Sequence, residues 1–163
     1  MICSLKKYDS LDGAAFSDCS KYRYALWRTM DEKKPSIMFI GLNPSLANET
    51  TDDPTIRRVK SFAEKWGYGK IYMLNLFAYI TPYPNELRKC DAPIGEKTDL
   101  YLQEIRSKCE EVIFAWGDYN SNGRDKSVVG MFPNGKALFI NKNGTPRHPL
   151  YVPRNVVPQP FGL

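Results

Sequence analysis

Four apolar runs, each stopped by glycine or interrupted by a polar residue, set the rhythm of this chain. Ile37-Met38-Phe39-Ile40 stops at Gly41. Residues 70–78 are apolar except at their edge and at Asn75, residues 111–116 stop at Gly117, and residues 136–141 form the last run. Runs of this length read as strands buried on both faces. Between them the period changes. Asp53-Pro54 is a cap followed by Pro at the first helical position, and Ile56, Val59, Phe62, Ala63 and Trp66 recur at helical spacing until Gly67. Leu102, Ile105 and Cys109 mark a second helix over 98–109, and 124–132 reads as a short third one. Residues 22–28 alternate as a short edge strand, and the Pro-rich stretch 81–98 is a long connection with room for one helical turn. Strand alternating with helix predicts a single-domain α/β protein: a three-layer α/β/α arrangement around a mainly parallel central sheet.

The 163 residues suit one domain spanning 1–163, with no repeat or linker to divide it. Hydrophobic residues at 42% and charged residues at 25% argue against disorder. The apolar runs are far shorter than the roughly 18 residues of a membrane span. The first seven residues carry charge without an apolar stretch behind it, so no export signal is expected. The expectation is a cytoplasmic monomer, free of membrane.

Charge is informative by position. The formal net charge is +5, yet Lys126, Lys136, Lys142, Arg147 and Arg154 are followed or separated by no acid, so the whole excess lies in the last quarter. Such a field favours phosphate-bearing partners, or is a plain solvated surface. Cys3, Cys19, Cys90 and Cys109 form no CxxC pair and read as reduced thiols. His148 is the single histidine, which removes most zinc geometries. No cofactor or resident metal is expected.

In open α/β sheets, ligands bind outside the carboxyl ends of the strands. Four segments stand there. In Gly41-Leu42-Asn43-Pro44-Ser45, glycine allows close backbone approach and Pro44 fixes the turn that aims Asn43. Asn75 is an amide inside an apolar run and must be satisfied by protein, water or ligand. Its carboxamide matches a nucleobase edge, one donor to one acceptor. Trp116-Gly117 either packs the strand end or lets a base lie close. Pro146-Arg147-His148-Pro149 is a rigid turn able to aim donors at a developing anion. The dense acidic cluster is Glu49, Asp52 and Asp53: Asp53 reads as the helix cap, and Asp52 as a general base or a Mg²⁺ ligand.

Tyr24-Ala25-Leu26-Trp27-Arg28, Gly41-Leu42-Asn43-Pro44-Ser45, Asp52-Asp53-Pro54-Thr55-Ile56-Arg57-Arg58, Asn75-Leu76-Phe77-Ala78, Ala115-Trp116-Gly117 and the run from Gly144 to Tyr151 together resemble the family called domain of unknown function 1643, over residues 22–153. More distantly, the order of elements is similar to the uracil-DNA glycosylase superfamily. That resemblance implies that Gly41-Leu42-Asn43-Pro44 positions an attacking water and that Asn75 reads the flipped base. It also implies that His148 stabilises the departing base anion while Leu150 or Tyr151 fills the vacated stack. This chain departs from that pattern: Leu-Tyr follows His148-Pro149, and Ser45 stands where the classical branch has an aromatic residue. One branch holds an iron–sulfur cluster on four cysteines, but Cys3 and Cys19 lack the close pairing it needs.

The expected site is therefore Asn43, His148 and Asp52 for chemistry, with Gly41, Leu42, Pro44, Ser45, Asn75, Trp116, Gly117, Arg147 and Leu150 against the substrate. Arg57, Lys142 and Arg154 would meet the backbone of DNA or another nucleic acid. The expected function is recognition of a nucleic-acid base, with hydrolysis of the N-glycosidic bond of a damaged or modified one. A non-catalytic binding module and a metal-dependent nucleotide hydrolase are the alternatives on the same fold.

Overall fold

A computed structural model of the chain describes residues 10–161; Cys3, Tyr8 and residues 1–7 lie outside them. Among the described residues the strands are β1 Gly13–Phe16, β2 Arg23–Thr29, β3 Ser36–Gly41, β4 Lys70–Asn75, β5 Glu111–Phe114, β6 Lys136–Ala137 and β7 Gln159–Pro160. They form one sheet in the order β1-β2-β4-β3-β5-β6-β7. The helices are α1 Pro54–Lys65, α2 Thr98–Arg106 and α3 Arg124–Met131, with 3-10 turns at Pro84–Arg88 and Pro149–Tyr151.

The apolar runs explain both faces of the sheet. Successive strand residues point to opposite sides. Thus Met38, Ile40, Tyr72, Leu74, Val112 and Phe114 join the core under α2 and α3. Ile37, Phe39, Ile71, Met73, Ile113 and Ala115 join the core under α1, through Ile56, Val59, Phe62 and Ala63. Each face is closed by helix, which is why these strands read as continuous rather than alternating. Asp53 caps α1 by accepting the Ile56 N–H at 2.9 Å, and Gly67 ends it with φ +88°.

The sheet is mixed rather than mainly parallel. Its middle, β4-β3-β5-β6, is parallel, whereas β1-β2, β2-β4 and β6-β7 are antiparallel. Residues 22–28 are not an edge: β1 covers one side of β2, and β2 is buried along nearly its whole length. The fourth predicted run is in the sheet only at Lys136–Ala137. Beyond it the chain folds on itself, with Ile140 bridging Pro146 and the Arg147 N–H donating to the Phe139 carbonyl at 2.8 Å. Local pairing therefore replaces sheet pairing where the apolar pattern suggested more strand. No helix among the described residues is long and apolar enough to cross a membrane.

Candidate functional site

The carboxyl ends of β3, β4 and β5 meet where parallel register places Gly41 beside Asn75. A Cβ on Gly41 would come within 2.8 Å of the Met73 methyl and 3.0 Å of Asn75 Oδ1, so glycine is what lets the amide sit here. The following turn carries Asn43, whose Nδ2 donates to the Pro44 carbonyl at 3.0 Å and to the Thr81 carbonyl at 2.8 Å. Both amide donors are spent on backbone, and the polar atom left to offer is the acceptor Oδ1. After β5, the Gly117 N–H donates to the Pro146 carbonyl at 2.8 Å, drawing the last motif alongside the strand end.

His148 then stands over the gap. Its Nδ1 accepts the Leu150 N–H at 3.1 Å, which leaves the proton on Nε2. Burial lowers the imidazole pKa, and the charge of Asp53 offsets this only in part. The ring is therefore neutral near pH 7 and acts as an N–H donor.

These elements enclose a cavity of about 190 Å³ lined by Gly41, Leu42, Asn43, Pro44, Ser45, Asn75, Trp116 and His148, together with Arg23, Asp53, Thr55, Ile56, Met73 and Pro84. Arg23 arrives because β2 runs antiparallel to β4, so its first residue lies where β4 ends. Its Nη1 donates to the Ala47 carbonyl at 3.1 Å, and it makes no ion pair among the described residues. Burial pulls its pKa down to about 10, against the charge of Asp53, which favours the cation.

Five buried side-chain polar atoms among the described residues have no hydrogen-bond partner, and three of them belong to residues lining this one cavity: Arg23 Nε, Asn75 Nδ2 and Trp116 Nε1. Their side chains are almost wholly enclosed, at 3%, 3% and 2% exposure. All three are donors. Each costs about 1–3 kcal/mol while it is left unpaired.

The family described as "Protein of unknown function (DUF1643)" matches residues 23–150. The chain belongs to that family. No curated protein and no solved structure matches it. The DUF1643 span begins at Arg23 and takes in every residue that lines the cavity.

Of the site residues expected from sequence, the cavity collects the Gly41 to Ser45 turn, Asn75, Trp116 and His148. Gly117 stands just behind, where a Cβ would lie 3.8 Å from that of His148. Asp52 is elsewhere: Oδ1 accepts from Arg28 Nε at 2.7 Å and Oδ2 from Lys60 Nζ at 3.1 Å. Burial would raise its pKa, but these hydrogen bonds outweigh it and hold the carboxyl below the usual value. The carboxylate that does line the cavity is Asp53, which also caps α1. Arg147 does not line it; its guanidinium lies 4.2 Å from the Phe139 ring centroid and Nε donates to Asn141 Oδ1 at 2.8 Å.

Leu150, Arg57 and Arg154 line a separate groove of about 570 Å³ with Pro54, Arg58 and Lys65. The two share no lining residue, although both draw on the first turn of α1: Thr55 and Ile56 line the cavity, Pro54, Arg57 and Arg58 the groove. Lys142 is exposed on the turn beyond. Among the described residues no three His, Cys, Asp or Glu side chains come together to hold a metal. Cys19 is exposed, and Cys109 is buried with its thiol pushed up to about 12 by desolvation.

Arg23 and the cavity face of Asp53 were the residues missed. A signal for Arg23 was present: a charged side chain opening the apolar run Tyr24-Ala25-Leu26-Trp27 raises the same question of satisfaction as Asn75.

Proposed function

We propose that this protein recognises a nucleobase in DNA or another nucleic acid and hydrolyses its N-glycosidic bond, the base being a damaged or modified one. The observation that carries this reading is the cavity itself. Asn43, with an acceptor oxygen to offer, Asn75, with its carboxamide, Trp116 and the neutral imidazole of His148 all line one cavity. In size it falls below the roughly 300 Å³ at which drug-sized pockets begin, which suits one flat ring better than a whole nucleotide.

In this reading Asn43 Oδ1 accepts a hydrogen bond from the water that attacks C1′. Asn75 reads the base edge, while His148 Nε2–H steadies the oxygen on which charge gathers as the bond breaks. Asp53, the carboxylate on the cavity lining, takes the proton of the water in this reading. Arg57, Lys65 and Arg154 in the separate groove, together with the exposed Lys142, meet the phosphate backbone. Leu150 and Tyr151, both exposed, fill the space the base leaves. The order of Asn43, Asn75 and His148 also follows the uracil-DNA glycosylase pattern noted above, and the fold of that superfamily is part of the proposal.

One observation favours the binding module as a second reading. Asp53 gives Oδ1 to the cap of α1, and Asp52 is held by Arg28 and Lys60, so no carboxylate is wholly at the disposal of a water. The metal-dependent hydrolase required Asp52 as a ligand, which those ion pairs oppose.

The deciding experiment incubates the protein with oligonucleotides carrying uracil, mismatched thymine and a panel of modified bases, with alkali to reveal abasic sites. Release of a base, abolished in His148→Ala and Asn43→Ala while binding persists, establishes hydrolysis. Salt-sensitive binding without release from the whole panel establishes the module. Neither release nor binding rejects both readings.

A further inference from the structure

Three residues that line one cavity each keep a buried donor without a partner, Arg23 on β2, Asn75 at the end of β4 and Trp116 just after β5, and one of the donors belongs to a guanidinium. A buried cation without a paired carboxylate is among the least favourable arrangements a fold can hold. Elsewhere in the described chain the buried arginines are matched: Arg28 by Asp52, and Arg124 by Asp99 at 2.6 Å. Arg23 alone of the three has a backbone carbonyl and an open Nε. Asp53, whose charge favours the cation, lines the same cavity but forms no ion pair with it.

The other two open donors, Asn75 Nδ2 and Trp116 Nε1, are neutral, and Leu42, Ile56 and Met73 supply apolar walls. A bare phosphate would leave those walls unused. A flat ring bearing oxo groups uses both: its faces meet the apolar side chains, and its oxygens accept from the donors.

We propose that the cavity selects an anionic, oxo-bearing planar ring, with Arg23 as its charge partner and specificity-determining residue and with Asn75 and Trp116 donating to the ring oxygens. This rests on the reading of the cavity as a base pocket, but not on bond cleavage. Rings whose edge presents amino groups, such as adenine and cytosine, set donor against donor here and are rejected.

Calorimetric titration of the full chain tests this with free rings matched in size. Xanthine is paired with adenine, barbiturate with cytosine, and inorganic phosphate serves as the plain oxyanion. The expected result is that xanthine and barbiturate bind about tenfold or more tightly than their partners, the ratio one charge-assisted hydrogen bond supplies. Xanthine affinity should rise as pH climbs through the ring's own ionisation. Arg23→Gln should erase most of the preference, and Trp116→Phe, which keeps the ring and removes the donor, should weaken both oxo rings without restoring adenine.

Equal binding of adenine, or an unchanged preference in Arg23→Gln, overturns the proposal. So does phosphate binding as tightly as barbiturate, or failure of every ring to bind. If Arg23→Gln does not fold, the pH dependence of xanthine binding to the unsubstituted chain decides alone. Oxo-ring binding without base release removes hydrolysis and leaves this inference standing; release of amino-bearing bases does the reverse.

Discussion

Arg23 and Arg28 open and close one stretch of β2, are equally buried, and do opposite things. Arg28 is saturated. Its Nε meets Asp52 at 2.7 Å, Nη1 donates to the Trp27 carbonyl at 2.9 Å, and Nη2 donates to the carbonyls of Asn48 at 2.5 Å and Thr51 at 3.3 Å. It ties the loop between β3 and α1 to the sheet. Arg23 holds the same loop by one bond, to Ala47, and keeps Nε in reserve. Two identical side chains in one strand thus differ in how completely they are satisfied. Burial alone would have ranked them together.

The comparison breaks most visibly at Arg28. Arg28→Met leaves Asp52 to Lys60 alone and strips a donor from the loop carbonyls of Asn48 and Thr51 and from that of Trp27, and should cost about 3–5 kcal/mol in a urea titration. A loss under about 1 kcal/mol would show that the loop holds without it. Asn43→Ala comes next. It removes one bond within the β3 turn, to Pro44, and one that joins the turn to Thr81, worth about 1–2 kcal/mol together, and a thermal melt should find it between the two arginine variants.

Arg23→Met should leave stability within about 1 kcal/mol of the parent, because the charge it deletes has no ionic partner to strand. A loss as large as that of Arg28→Met would place Arg23 among the structural residues and end the contrast.

The smallest effect is a pH dependence. Burial lowers the folded pKa of His148 below its ordinary 6.5, so between those two values the unfolded chain binds the extra proton. The contribution is whole above 6.5 and is lost as pH falls toward the folded value. Melting temperatures of the parent should drop faster than those of His148→Gln through that window. Asp52 acts with the same sign at lower pH: its depressed pKa holds stability above 3.8 that is lost as acid protonates it. Parallel slopes for parent and His148→Gln would mean that the imidazole is hydrated in the folded state.

The legible part of the molecule was what hydrophobic period and strand ends encode. Two-sided burial of β3, β4 and β5 wrote itself into continuous apolar runs, and the polar residues closing those runs were the ones brought to the cavity. What stayed hidden depends on pairing across distance. That β2 runs antiparallel beside β4 cannot be read from its own residues, and only that direction carries Arg23 to the cavity. The choice between Asp52 and Asp53 turned on one residue of helical phase. Asp53 at the cap faces the cavity, whereas Asp52 turns to Arg28 and Lys60. Short strands such as β1 and β7 have too few residues to show a period at all.

The bond from the Gly117 N–H to the Pro146 carbonyl has a consequence for the order of folding. It joins the end of β5 to a turn that follows β6, and through that turn it sets His148 opposite Arg23, which lies near the other end of the chain. Arg23 and His148 lie farther apart in sequence than any pair in the β2-β4-β3-β5 ladder, so loop closure favours forming that ladder before the cavity. The cavity should therefore be absent from any compact intermediate. A ligand that needs both Arg23 and His148 would slow global unfolding while leaving the folding limb of the kinetics untouched.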